Sequence, residues 1–236
     1  MTEPIKVRDF LASEGTEDWR VVSDGAVAFF PTDSFGASAS LVEAISELND
    51  IADHYPDIDV RRDGVTMRLV AIAPDHYGLT QRDLEVARRV SEAARQLGLT
   101  ADPSRVQSLL VIPGALNRAE VMPFWQAVLG YERRPDSPEE DLIDPRDRGP
   151  SFWFEQMDEP RGDGGGAIHV GIWVPYEEAK ARVEAALAAG GHLVRDDFAP
   201  AWWTLADAAG NEADIATFAD PDDNYFQLMT PMGLPS

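Results

Sequence analysis

Apolar residues recur along this chain in two rhythms, one helical and one alternating. Leu41, Ile45, Leu48 and Ala52 fall three or four apart, which predicts a helix from Phe35 to Ala52 with one buried stripe. Leu84, Ala87, Ser91, Ala94 and Leu97 form a second stripe. Thr80 can cap that helix with Asp83 at the third position, and Gly98 ends it. Phe10-Leu11 belong to a short leading helix, and Trp19 to Phe30 alternates as paired strands do. Ile58–Arg62 and Val65–Ile72 read as strands joined by Asp63-Gly64, a hairpin signal. Leu99 to Ser104, with Asp102-Pro103, is the linker candidate.

The second half repeats one unit twice. The first copy runs as a strand (Val106–Ile112), a helix (Asn117–Leu129, capped by Asn117 with Glu120), then strands ending at Ser151–Gln156. The second runs as a strand (Ile168–Val174), a helix (Tyr176–Ala189), then strands through Trp202–Ala206 and Ala213–Phe218. Gly130 and Gly190 end the two helices, and Pro123 inside the first predicts a kink. The fold class is therefore α+β in two domains, residues 1–100 and 105–236. A length of 236 residues agrees, since single domains usually stop near 100–150.

Composition narrows the function classes. With 42 acidic and 20 basic residues the net charge is −22, a field that repels phosphate backbones and argues against nucleic-acid partners. No apolar run reaches the ~20 residues a membrane helix needs, and MTEPIKVRDF lacks the pattern of a signal peptide. There is no cysteine, hence no disulfide, thiolate nucleophile or sulfur ligand. Cytoplasmic residence is the expectation.

Candidate chemistry in the first half lies in DHYPDIDVRRDGVTMRLVAIAPDHYGLTQRDLEVA, residues 53–87. Its order resembles the pterin-4a-carbinolamine dehydratases, in which a His-His-Pro run, a strand histidine and a GL[ST]xxD turn line the pterin site. The resemblance runs from about Trp19 to Gln96 and implies a dehydratase-like α/β sandwich. His54 matches the first histidine, Pro56 the proline that helps bind substrate, and Asp83 the aspartate. Tyr55 replaces the second histidine, and Ile72 stands where the strand histidine belongs, with His76 four residues later as a substitute. Dehydration needs one proton delivered to the departing hydroxyl and one removed from a ring nitrogen, work suited to imidazoles. The catalytic candidates are His54, Tyr55, His76 and Asp83, and the depleted set implies reduced or altered activity. Asp83 reads equally as a capping-box acid, and His54 also reads as a helix-terminal histidine.

The repeat in the second half resembles the vicinal oxygen chelate superfamily, the glyoxalase and bleomycin-resistance fold of paired βαβββ modules. Phe124-Trp125-Gln126-Ala127-Val128-Leu129-Gly130-Tyr131, Ile168-His169-Val170 and Asp207-Ala208-Ala209-Gly210-Asn211-Glu212 carry it. Metal-using members take one ligand from the first strand and one from the last strand of each module. That implies Gln107, Glu155, His169 and Asp214 around a possible divalent metal, the only cofactor suggested. A second turn at Asp220–Leu228 would substitute Gln227 for Asp214. His169 reads equally as a core histidine. Trp153, Trp173 and Trp203 are the aromatic candidates for a planar ligand. Three functions stay open: a pterin dehydratase fused to a glyoxalase-like domain, a metal-dependent lyase, isomerase or dioxygenase centred on His169, and a non-catalytic small-molecule binder. Both families commonly form homo-oligomers.

Overall fold

The computed structural model describes residues 3–23, 25–48, 51, 54–158, 168–206 and 212–218. Contacts divide the chain into unit 1, residues 1–71 with 76–106, and unit 2, residues 72–75 with 107–236.

Unit 1 runs β1 (Pro4–Ile5), α1 (Val7–Leu11), β2 (Arg20–Val22), β3 (Gly25–Pro31), α2 (Phe35–Ser46), β4 (Asp57–Arg61) and β5 (Gly64–Leu69). β6 (Ala71–Ala73) spans the division, and β7 (His76–Thr80) leads into α3 (Gln81–Gln96). Strands β2-β3-β5-β4 form one antiparallel sheet, and β1 pairs with β7. The long apolar stripe of α3 is buried through Leu84, Val86, Ala87, Val90 and Ala94, as its period requires. Trp19 is fully buried, its indole N–H bonded to the Ala87 carbonyl and the Ser91 hydroxyl.

Several sequence expectations shift by a few residues, each for a local reason. Helix α2 stops at Ser46, because i→i+3 bonds from Leu48 to Ile45 and from Ile51 to Leu48 tighten the chain. Ile51 thereby takes the buried place; Ala52 lies outside the described residues. Leu97 caps α3 and is exposed. The β4–β5 turn is Arg62-Asp63, since Arg61 faces Gly64 across the ladder. Gly64 is needed for close approach: a Cβ there would lie 2.5 Å from the Phe30 oxygen. The expected linker is fastened down, with the Asp102 N–H on the Phe29 carbonyl and the Arg105 guanidinium over the Phe29 ring.

Unit 2 contains β8 (Ser108–Ala115), α4 (Arg118–Leu129), β9 (Glu132–Arg133), β10 (Asp141–Ile143), β11 (Ser151–Trp153) and β12 (Glu155–Gln156). The second module follows with β13 (Ile168–Trp173), α5 (Tyr176–Ala188), β14 (His192–Arg195), β15 (Trp202–Ala206) and β16 (Glu212–Ala216). The sheet order is β14-β15-β16-β13-β8-β11-β10-β9, with β12 also on β8. In each module the first strand lies parallel to the last, β8 with β11 and β12, and β13 with β16. The modules join through antiparallel β8 and β13. The repeat read in the sequence is thus the repeat of the sheet. Asn117 caps α4 through Ala119 and bonds Glu120, while Gly130 closes it at φ 68°.

Both helices cover one face of that sheet. Met122, Leu142, Phe152 and Phe154 form the cluster joined by Val111, Val121, Trp125 and Leu129 at α4. Val174, Ala179, Val183, Leu205 and Ile215 form the cluster at α5, with Ile172 and Trp203 packed on it. Strand alternation then assigns the opposite face to Ile112, His169, Gly171, Trp173, Asp214, Thr204, Trp202, Trp153 and Glu155.

Candidate functional site

Thr80 ends β7 in an extended conformation and starts α3, so its side chain and that of Asp83 form a capping box. Asp83 Oδ2 accepts from the Thr80 N–H and the Thr80 hydroxyl, both at 2.7 Å. The Asp83 N–H returns a bond to the hydroxyl oxygen at 3.3 Å. A cap needs only one carboxylate oxygen. The other, Oδ1, lies 2.7 Å from His54 Nε2. His54 is set in place by its N–H on the Ile51 carbonyl and by buried Pro56 two residues on, at the entry to β4. Asp83 therefore caps the helix and holds the histidine at once. Its side chain has no exposed surface, whereas His54 keeps 31% of its own. Burial leaves Asp83 nothing with which to touch a ligand, so its part in any chemistry passes through His54.

No hydrogen bond joins the other candidates to this pair among the described residues. Tyr55 is exposed and turns its hydroxyl to the Ser46 carbonyl at 3.2 Å, at the end of α2. His76 opens β7 four residues before Thr80, about 13 Å away at the usual strand rise. Its Nε2 is buried and makes no hydrogen bond among the described residues. Ile72 is partly exposed.

In unit 2 His169 Nε2 lies 3.2 Å from Asp214 Oδ2, and the Thr204 hydroxyl donates to Asp214 Oδ1 at 2.6 Å. Thr204 faces Asp214 directly across the β15–β16 ladder. Burial disfavours the charged imidazole, but the Asp214 hydrogen bond and the Asp214, Glu155 and Glu212 carboxylates outweigh it. His169 is consequently held above the ordinary histidine range. Gln107 does not join this group. It is exposed, accepts from Arg182 at 3.4 Å, and precedes Ile112, the partner of His169, by five residues or about 17 Å. Gln227 lies outside the described residues. Among those residues no three His, Asp or Glu side chains are grouped to hold a metal ion. With Gln107 displaced, the four-residue set read in the sequence is not assembled among the described residues.

The aromatic candidates separate by face. Trp153 and Trp173 point away from the helices, Trp173 almost wholly buried against Phe218 at 4.9 Å between centroids. Trp203, partly buried, packs against the α5 cluster on the helix-covered face. Its neighbour Trp202, stacked on Phe198 at 4.2 Å, occupies the face expected of it.

Comparison with known proteins agrees with both halves. A family model described as "Pterin 4 alpha carbinolamine dehydratase" matches residues 3–93, and one described as "Glyoxalase-like domain" matches residues 110–216. A Nocardia farcinica protein named "Putative pterin-4-alpha-carbinolamine dehydratase" is 36% identical over 84 residues, covering 36% of this chain and 86% of that relative. The chain belongs to the pterin-4a-carbinolamine dehydratase family. A relative of the same name from Chloroflexus aurantiacus is 33% identical over 75 residues, 32% of this chain and 78% of its own. A solved glyoxalase/bleomycin resistance protein/dioxygenase superfamily member from Vibrio splendidus 12B01 aligns over 48% of this chain and 99% of its own, at 16% identity and TM-score 0.29. That score is too low to argue from.

As a member of the dehydratase family the chain departs from the pattern at Tyr55 and Ile72. Sequence reasoning passed over two roles. Thr80 was visible as a cap but not as the second anchor of the carboxylate that holds His54. Thr204 gave no signal, because only the strand register puts it beside Asp214.

Proposed function

We propose that the chain forms two functional domains, residues 1–100 and 105–236, and that the first dehydrates a 4a-hydroxytetrahydropterin with reduced or altered competence. The observation that carries this reading is the 2.7 Å bond between His54 Nε2 and buried Asp83, which leaves a partly exposed imidazole in a fixed orientation. Loss of water requires a proton on the departing hydroxyl and removal of one from the ring nitrogen. One imidazole can do these in turn, ending in its starting state. General acid–base catalysis contributes about 10²–10⁴-fold where its groups are complete, so a set reduced to one histidine supports a weak enzyme. The ligand in this reading is small and planar. A cytoplasmic homo-oligomer belongs to the same proposal, supported by the cysteine-free composition and the dehydratase resemblance. No helix among the described residues is long and apolar enough to cross a membrane.

The test follows decay of 4a-hydroxytetrahydropterin by absorbance. The full chain should accelerate it and His54→Ala should remove the acceleration. No gain over buffer at high protein concentration sinks the proposal. For the second domain we propose binding of a small planar molecule without a resident metal, on the face carrying His169, Trp153 and Trp202.

A further inference from the structure

Three hydrogen bonds around Asp83 determine which nitrogen of His54 is available for chemistry. Thr80 gives two donors to Oδ2, its N–H and its hydroxyl, each at 2.7 Å. Oδ1 is then the oxygen that meets His54 Nε2 at 2.7 Å. An ionised carboxylate only accepts, so the proton in the His54–Asp83 bond belongs to Nε2. Nδ1 makes no hydrogen bond among the described residues, and His54 carries the exposed surface of the pair while Asp83 carries none. The carboxylate cannot swing to release Nε2, because the same group holds the first turn of α3 and turning it would abandon the cap.

We propose that His54 exchanges its proton with the ligand at Nδ1 alone, with Asp83 and Thr80 as positioning residues that fix its tautomer and ring orientation. This rests on the dehydratase reading above for the identity of the ligand, and on the geometry alone for the choice of nitrogen. Neutral His54 carries hydrogen on Nε2 and presents the Nδ1 lone pair as the base. Protonated His54 presents Nδ1–H as the acid. The proton taken from the ring nitrogen and the proton given to the departing hydroxyl therefore pass through one atom in turn. A substrate must bring both of its reacting groups to that atom. This is a stricter geometric demand than a site with several histidines makes.

Two measurements on the full chain separate this inference from the activity itself. With ¹⁵N-labelled histidine, two-bond ¹H–¹⁵N NMR spectra identify the tautomer of each ring without substrate. Neutral His54 should show a protonated Nε2 and an unprotonated Nδ1. An Nδ1–H tautomer in the wild-type protein overturns the proposal, whether or not the protein is a dehydratase. In the decay assay, Asp83→Asn should lower kcat by on the order of 10²-fold with KM little changed, because an amide can donate to Nε2 and invert the tautomer. Thr80→Val should lower kcat less and Thr80→Ser should restore it. If Asp83→Asn fails to fold, the wild-type spectrum and the Thr80 pair still decide. An Asp83→Asn protein with His54 unchanged in tautomer and kcat refutes the positioning role. Absence of dehydration in the wild type, with the Nε2–H tautomer present, refutes the dehydratase reading and leaves the tautomer assignment standing.

Discussion

Asp141 offers a quantitative test of how unit 2 handles buried charge. It opens β10 opposite Trp153, on the face away from the helices, and is only 3% exposed. Its carboxylate meets Arg134 at 3.1–3.2 Å, but Arg134 also holds Asp136 at 2.7 and 3.0 Å. One guanidinium is shared by two carboxylates, with Glu140 next in the chain. Burial is the largest influence and Arg134 only partly offsets it, so the Asp141 pKa is pushed from 3.8 to about 6. A raised acid stabilises the fold through its protonated form. The native state holds more protons than the unfolded chain between pH 3.8 and 6, so stability falls as pH rises through that window. At neutral pH the charged carboxylate costs about 3 kcal/mol relative to strong acid, and roughly half of that appears between pH 5 and 7.5.

Asp141→Asn removes the titration and keeps an acceptor for Arg134, which retains Asp136. Urea unfolding from pH 5 to 7.5 avoids the isoelectric region near 4.3. Tryptophan fluorescence reports mainly unit 2, since of the six tryptophans only Trp19 lies in unit 1. The absolute difference between the proteins includes whatever the lost hydrogen bonds cost, so the informative quantity is its change with pH. Other groups, His169 included, titrate alike in both proteins and cancel. The variant should gain between about 1 and 2 kcal/mol on the wild type across that range. A difference that stays flat, or moves against the variant, refutes the argument.

Three further outcomes follow from particular contacts. Gly25→Ala would place a Cβ 2.3 Å from the Leu69 oxygen at φ +117°, so it should destabilise unit 1 by about 3 kcal/mol and lower its melting temperature by on the order of 15 °C; an unchanged melt contradicts the packing. Trp203→Ala should cost about 3 kcal/mol in urea melts and Trp202→Ala about 1, because the first packs into the α5 cluster and the second stacks on Phe198; the reverse order would exchange the two faces. Asp214→Asn should bring the His169 titration down toward the ordinary range, read by NMR on its ring protons. The raised pKa contributes stability that is full below the unfolded value near 6.5 and lost as pH rises through the native value, so the variant should lose stability mainly at acid pH. An unmoved titration separates the two residues.

Much of the fold was legible because the relevant signals are local. The capping box at Thr80 and Asp83, the glycine ends at Gly98 and Gly130, and the Asn117–Glu120 cap all lie within one helical turn of the residues they govern. Where expectation slipped, the deciding contact was distant or the period was ambiguous. Ala52 and Ile51 fit nearly the same stripe until the chain tightens after Ser46. Gly64 looks like a turn glycine in sequence, yet its need for hydrogen alone comes from Phe30 and Phe29, more than thirty residues earlier. The dehydratase-type site behaves the same way. His54 and Asp83 were each visible, but their bond spans 29 residues and no spacing rule announces it.

The glyoxalase-like half shows why residue type and spacing reach only so far toward a site. Gln107, Glu155, His169 and Asp214 satisfy a ligand spacing, but a strand advances about 3.3 Å per residue and reverses faces at every step. Gln107 lies just before β8, at the end away from His169, and that displacement along the chain removes it from any shared ligand. Trp202 and Trp203 are neighbours of one type, and a shift of one position exchanges the helix-covered face for the opposite one. The Asp214 carboxylate is the sharper case. Thr204 satisfies one of its oxygens and His169 the other, through pairings set by β13, β15 and β16 together. A carboxylate so engaged is held toward His169, and a metal at this point would have to part the His169–Asp214 pair while the Thr204 bond stayed as support from behind.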